Sequence, residues 1–321
     1  MSVFLIALFA VAVLLAASLP GFLLKKFNVL PESCIAGFSK VLIYITQPCL
    51  AIYTFKSTEY SPEKLANIGI FAALTLLVHG IMLGGAYLIL KRKFDDPLYR
   101  ILTIATTFAN CAFFGIPIIE ALFPSFAKDV IIYTTVYSLV MNVIGWTVGS
   151  AIISRNAKYI SPKKIFLNPA MLGTAVAFIL FVFKIPLTFT VPGTDVTFRL
   201  IEDVITVSAK MATPLSMLIM GMRLATMKWR SFFTDYRIYL TIAVKQLVMP
   251  LVAFLAVVFL PIDPQLKCVF YIICACPAAS VVLNYAEVVG SGQKEAANTV
   301  LLSTILSIGT LPLIALLLRF L

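Results

Sequence analysis

Apolar residues run along this chain in long blocks, separated by short stretches that hold Lys, Arg, Asp, Pro and Gly. The blocks fall at Val3–Leu24, Ser33–Phe55, Leu65–Leu90, Leu98–Ile119 and Val130–Ile153, and again at Pro169–Leu187, Val196–Leu224, Arg237–Leu260, Leu266–Val289 and Asn298–Phe320. A helix that crosses a bilayer needs about 20 predominantly apolar residues, so each block predicts one span. Hydrocarbon offers no partner to an open backbone N–H or C=O, which makes all ten spans helices. The pattern predicts an all-α polytopic membrane protein.

Composition sharpens this. Of 321 residues 61% are hydrophobic and 12% charged, against an apolar share of about 45–50% in soluble domains. Ten spans use roughly 200 residues, leaving short loops and no room for a separate soluble domain. The net charge of +11 would suggest nucleic acid in a soluble protein, but here the basic residues sit mainly in loops and membrane topology accounts for them. No nucleic-acid partner is expected; the partner of such a surface is the lipid bilayer. The six cysteines, Cys34, Cys49, Cys111, Cys268, Cys274 and Cys276, lie in or beside apolar runs without a CxxC pair or ligand-like spacing to the single His79. They read as small packing residues, and neither metal nor cofactor is implied. The stretch Met1–Phe9 has no basic segment and no small-residue cleavage site, which makes it part of a first span and not a removed signal peptide.

Basic residues set the orientation. Loops after odd-numbered spans, counted to their edges, carry 15 Lys and Arg and the other side 7. The rule that cytoplasmic loops are enriched in Lys and Arg places the odd loops in the cytoplasm and both termini outside, in a plasma (bacterial inner) membrane. Lys40, Lys210 and Lys245 fall inside spans; Lys40 and Lys245, within about two turns of the cytoplasmic side, are expected to snorkel.

The longest basic connection, residues 154–168, separates five spans (residues 1–153) from five (residues 169–321). A repeat of odd span number must enter the membrane inverted. Setting position n beside about n + 166 aligns Thr46-Gln47-Pro48-Cys49-Leu50 in span 2 with Ala212-Thr213-Pro214-Leu215-Ser216 in span 7. The same shift aligns Ala109-Asn110-Cys111 in span 4 with Ala275-Cys276-Pro277 in span 9. Inverted repeats with helices broken at the midplane are a common construction of secondary transporters.

Proline removes the helix bond to the carbonyl four residues back, so Pro48, Pro117, Pro214 and Pro277 free the carbonyls of Tyr44, Phe113, Lys210 and Ile273. If spans 4 and 9 break near Asn110 and Pro277, they offer free N–H groups and positive dipole ends to an anion, and Asn110 adds two side-chain donors. Two ionisable side chains sit deep, His79 in span 3 and Lys210 four residues before Pro214; intramembrane ionisable groups mark pathways or coupling sites. The candidate substrate-facing residues are Asn110, Cys111, Gly115 and Pro117 in span 4, Pro277 and Ala278 in span 9, and Gln47, Pro48, Lys210 and Pro214 in spans 2 and 7. His79 and Lys210 are the coupling candidates.

These residues resemble the auxin efflux carrier family, which holds plant auxin carriers and bacterial permeases for small organic acids. The likeness is carried by Asn110 with Gly115-Ile116-Pro117, by Leu167-Asn168-Pro169, and by Pro214-Leu215-Ser216-Met217-Leu218 with Gly221 and Leu224. It continues through Pro277, Ala286, Leu302-Ser303-Thr304 and Ser307. The resemblance implies two inverted five-helix repeats with broken helices 4 and 9 crossing at the substrate site. It further implies a dimerising scaffold of helices 1, 2, 6 and 7, with helices 3–5 and 8–10 as a moving transport domain. Plant members have Pro-Asn where this chain has Ala109-Asn110, and they carry a longer cytoplasmic loop, so the resemblance favours a bacterial-type permease. The function it implies is elevator-type secondary transport of a small organic anion, a mono- or dicarboxylate, auxin-like acids included.

Three other readings compete. A sodium-coupled organic anion symporter of the bile acid carrier type would need an acidic residue at mid-depth in span 9, whereas Glu287 lies near its end. An intramembrane enzyme would need an acid–base or metal cluster, and Asp95-Asp96 and Glu202-Asp203 are the only adjacent acidic pairs. A channel fits broken helices less well than an occluded site does.

Overall fold

The structure is a computed structural model that describes residues 2–156, 169–190, 197–227 and 235–321. Part of the linker and the family-like Leu167-Asn168 lie outside the described residues.

Every apolar block is helical. Among the described residues seven helices, some with a single-residue turn inside them, are both long and apolar enough to cross a bilayer: α1 (Val3–Lys26), α2 (Ser33–Lys56), α3 (Pro62–Lys93), α5 (Ala127–Ser154), α7 (Leu200–Thr226), α8 (Tyr236–Val258) and α10 (Gln293–Phe320). Helix α6 (Pro169–Val182) is shorter. Two more come in pieces, α4a (Pro97–Ala105) with α4b (Cys111–Leu122), and α9a (Pro264–Ala275) with α9b (Val281–Val289). The sequence predicts spans 6 and 7 to run to Leu187 and from Val196. Instead α6 stops at Val182, α7 starts at Leu200, and a two-residue strand pair joins them, with Phe189 opposite Phe198 and Thr190 opposite Thr197.

Sequence explains where helices start. The Asp96 side chain accepts from Leu98 N (2.9 Å) at the head of α4a, and the Asp263 side chain accepts from Gln265 N (2.8 Å) at the head of α9a. Each is followed by a proline at the first helical position, whose missing N–H has no partner to lose there. The two interrupted helices thus open on the same Asp-Pro signature, 167 residues apart.

Prolines inside the spans are accommodated in several ways. In α2 and α8 a five-residue π-helical turn precedes the proline, Leu42–Thr46 before Pro48 and Val244–Val248 before Pro250. The same widening, Cys111–Gly115, precedes Pro117. An extra residue in the turn relieves the clash between the ring and the preceding carbonyl. Pro214 follows a one-residue interruption at Met211.

Packing sorts the helices. Helices α1 and α7 meet backbone to backbone: a Cβ on Gly221 would lie 1.9 Å from Ser18 O, and one on Gly21 2.1 Å from Leu218 O. Small residues of this kind let membrane helices approach closely. Helix α6 lies on α2, with Gly173 over Pro48 and with Phe178 and Phe181 edge-on to Phe55. The remaining helices bond to one another: Lys64 pairs with Asp129 (α3 to α5, 3.0 Å), Arg100 donates to Ile153 O (α4a to α5, 2.6 Å), and Gln246 donates to Ser303 O (α8 to α10, 2.7 Å). Tyr271 donates to Ile314 O (α9a to α10, 2.9 Å). Helix α1 also packs on α4b and α10. Outward faces are apolar and bare, as at Phe9, Val207 and Phe259, surfaces that only lipid or a partner could cover.

Candidate functional site

Helix α4 opens after Ala105 and re-forms at Cys111; α9 opens after Ala275 and re-forms at Val281. The two opened segments lie antiparallel and bridge at Ala109 and Ala278. Asn110 N donates to Pro277 O (2.9 Å), and Ala279 N donates to Phe108 O (2.9 Å). A broken helix inside a bilayer leaves backbone groups that must be satisfied, and here each break satisfies the other.

The rest of the α9 break is closed by two side chains. Ser303 Oγ accepts from Ala278 N (3.1 Å). Lys245 Nζ donates to Cys274 O and to Cys276 O, both at 2.8 Å. Lys245 is fully buried, so the snorkelling expected of it is corrected: its stem runs inward from the π-helical turn of α8 and its ammonium donates to two carbonyls that the break leaves open, while Ile273 O, which Pro277 frees, accepts from Cys276 N (3.1 Å). Lys40 lines the cavity described next and is exposed.

Beside the bridge lies a cavity of about 900 Å³ whose walls come from α2, α5, α7, α9b, α10 and the start of α4b. The floor is polar and uncharged. Asn110 contributes a side chain that makes no hydrogen bond among the described residues, next to Cys111, Gln47, Ser216, Ser280 and Asn284. Asn142, also in the wall, donates to Ser138 O (2.8 Å) and accepts from Tyr285 OH (3.3 Å). Tyr285 reaches it across Gly145, where any Cβ would stand 2.2 Å from the hydroxyl. Trp146 packs edge-on against Tyr285 (4.8 Å) and its buried Nε1–H has no partner. The charged wall residues Glu32, Lys40, Arg223 and Glu287 stand near the helix ends adjoining the odd loops, and Arg223 pairs with Glu287 at 3.5 Å. Toward the opposite ends the wall narrows to a space of about 30 Å³ among α2, α5 and α6, room for about one water. In that direction the hydroxyls of Thr54 and Thr135 bond α2 to α5 (2.8 Å).

The predicted site residues therefore divide. Asn110, Cys111 and Gln47 come together on the cavity. Pro277 and Ala278 form the bridge, and Gly115 stands behind it, where a Cβ would lie 3.4 Å from Cys276 Sγ. Pro117 sits two residues farther along α4b, and Pro48 packs under α6. Lys210 and Pro214 are exposed and do not line the cavity, so the structure does not bring them to the others. His79 is fully buried in α3, its Nδ1 at 2.8 Å from Thr75 O, its Nε2 unpartnered, and its ring 5.8 Å from that of Phe108 and 5.0 Å from that of Tyr137. Asn142 and Trp146 were not singled out from sequence, Ser303 entered only with the family likeness, and Lys245 only as a lysine expected to snorkel. For Lys245 a signal existed, since the n + 166 register sets it beside His79, and Cys274 beside Phe108.

No curated protein matches the chain. The profile of a family described as membrane transport protein matches it twice, over residues 6–163 and 153–315. These stretches cover nearly the whole sequence and meet at the basic linker. With its apolar helices, the chain is a multi-pass membrane protein and belongs to this transporter family, the auxin efflux carrier family, which is not an enzyme family.

Proposed function

We propose that the protein is a secondary transporter of a small organic anion, a mono- or dicarboxylate, which binds where α4 and α9 cross and is carried by elevator-type alternating access. The architecture in this reading is ten spans in two inverted five-helix repeats. Helices α1, α2, α6 and α7 form a scaffold that pairs with a second copy, and α3–α5 with α8–α10 form the moving unit. The observation that carries it is the floor of the cavity: two mutually bonded helix breaks with a free amide, Asn110, opening into about 900 Å³ of space. Carboxylates suit such a floor. Asn110 Nδ2 and the Ser280 hydroxyl at the head of α9b can donate to both oxygens, and hydrogen bonds to a charged partner contribute about 1.5–3 kcal/mol each. The helix dipole of α9b adds to this at its N-terminus.

The cavity walls run toward the ends that adjoin the basic loops, which the charge rule puts in the cytoplasm. In this reading the conformation is inward-facing, with the external route closed around Thr54–Thr135. The apolar remainder of the wall, with Trp146 and Phe113, fits a hydrocarbon or aromatic body behind the carboxylate.

Thermal unfolding of the purified protein with a graded series of carboxylates and their neutral amides, in sodium and in potassium, tests this. A carboxylate that binds at one hundred times its Kd adds about 2.7 kcal/mol of stability. The expected result is stabilisation by one class of carboxylate, not by its amides, and its loss in Asn110→Ala. Stabilisation by none, or equal stabilisation of parent and Asn110→Ala, would overturn the reading.

A further inference from the structure

Among the described residues Lys245 is the only fully buried side chain with a basic amine, and no Asp or Glu is buried with it. Stripping an ammonium of water costs several kcal/mol, and in membrane spans such groups are retained where their charge is used. Here two backbone carbonyls of the α9 break, Cys274 O and Cys276 O, hold it at 2.8 Å. Its neighbours are the ring of His79 on α3, the thiols of Cys111, Cys274 and Cys276, and Gln246 beside it, which is turned to Ser303 on α10. No carboxylate is buried with it; Glu287 on α9b lines the cavity beyond Asn284 and pairs with Arg223 at 3.5 Å.

On the other side of the same opened segment is the cavity floor, whose own residues are uncharged; the charges that line the cavity, Glu32, Lys40, Arg223 and Glu287, are two of each sign and stand toward the helix ends. Cys276, whose carbonyl Lys245 holds, is three residues from Ala279, which lines the floor. Three residues span at most about 10 Å, so the ammonium lies within about 13 Å of the floor. At an effective dielectric constant of about 20, a unit charge at that distance changes the local concentration of an opposite unit charge roughly tenfold.

We propose that Lys245 is the fixed counter-charge of the anion site. Its ammonium, locked behind the crossing by Cys274 and Cys276, gives the uncharged floor a positive potential, and an anion is selected without a cation touching it. The first repeat makes the contrast. At the matching position His79 stands behind Phe108 but bonds to its own helix at Thr75 and leaves the break alone. The ammonium therefore backs one break only, the one whose α9b head faces the cavity. The use of this field rests on the organic-anion reading; its existence does not.

The test needs no knowledge of the substrate. Ser280→Cys is placed on the floor of the full-length chain, with Cys34, Cys49, Cys111 and Cys268 replaced by serine and the fully buried Cys274 and Cys276 kept. The rates of its modification by methanethiosulfonates bearing a sulfonate or a trimethylammonium are each divided by the rate with an uncharged reagent, so that changes in access cancel. The proposal expects the sulfonate-to-trimethylammonium ratio to exceed that of a free thiol about tenfold or more. Lys245→Arg should preserve the ratio, and Lys245→Gln, which keeps a donor but no charge, should lower it at least fivefold. A ratio unchanged within twofold in Lys245→Gln overturns the proposal. Should that variant not fold, a parent ratio no higher than that of a free thiol overturns it equally. A high ratio in a protein that no carboxylate stabilises leaves the counter-charge standing and removes the organic-anion reading. Carboxylate binding with a flat ratio does the reverse.

Discussion

Helices α4 and α9 begin alike, on Asp96-Pro97 and Asp263-Pro264, and open alike, into segments that exchange hydrogen bonds through Ala109 and Ala278. Beyond that point they diverge. The α9 break is held from behind by Lys245 and Ser303 and has every described hydrogen-bond partner directed at its backbone. At the α4 break Phe108 packs against the rings of His79 and Tyr285, with no side chain from another helix bonding its backbone among the described residues, and the break turns an unbonded amide, Asn110, to the cavity. The two breaks share a backbone arrangement and differ in their side chains: those around α9 bond its backbone, and in the proposed reading the free amide of α4 meets the ligand.

That division gives substitutions of unequal kind. The largest loss of stability is expected at the α9 break. Lys245→Met leaves Cys274 O and Cys276 O without their donor, and each buried unsatisfied group costs about 1–3 kcal/mol; thermal unfolding in detergent should show a fall of several degrees or more. Ser303→Ala orphans one group, Ala278 N–H, and should cost about half as much in the same assay. His79→Leu removes a ring whose one bond is to its own helix and whose Nε2 is already unpartnered. It should cost about 1 kcal/mol or less, and a loss as large as that of Lys245→Met would erase the proposed asymmetry. At the helix heads, Asp263→Ala should cost about 1 kcal/mol, as loss of a cap does. Asp96→Ala should cost slightly more, because Asp96 also pairs with Arg237 at 3.0 Å, although a partly exposed pair adds at most about 1 kcal/mol.

Much of this frame was legible in the sequence. The helical, multi-pass character follows from block length, because a spanning helix needs a run that no other element needs, and among the described residues seven of the ten predicted spans are helices long and apolar enough to cross a bilayer. The α9 break was legible because Pro277 stands in it. The α4 break contains no proline. Its nearest one, Pro117, lies beyond it and is absorbed by a π-helical turn, so Asn110 was the better marker there. The failures are of direction. Counting residues from a helix end gives the depth of Lys210, but each residue also turns the helix by about 100°, and its face leaves it exposed while Ser216 and Met217 meet the cavity. Depth likewise suggested that Lys245 would reach back to the cytoplasmic surface; only packing shows that its stem points inward. The hairpin at Phe189 and Phe198 was hidden because apolar residues in a short strand pair look like the edges of two spans.

In the proposed reading Asn110 meets the ligand while the shape of the α4 break does not depend on it. The measurement that tests it most directly is binding to purified Asn110→Ala of the carboxylate that most stabilises the parent, together with the melting temperature of the unliganded variant. The account predicts affinity reduced about ten- to hundredfold, the equivalent of one charge-assisted hydrogen bond, with the unliganded melting temperature within a degree or two of the parent's. Asn110→Asp should bind more weakly still, since it sets a like charge against the anion. Parental affinity in both variants, or a melting temperature that falls as far as in Lys245→Met, would contradict it.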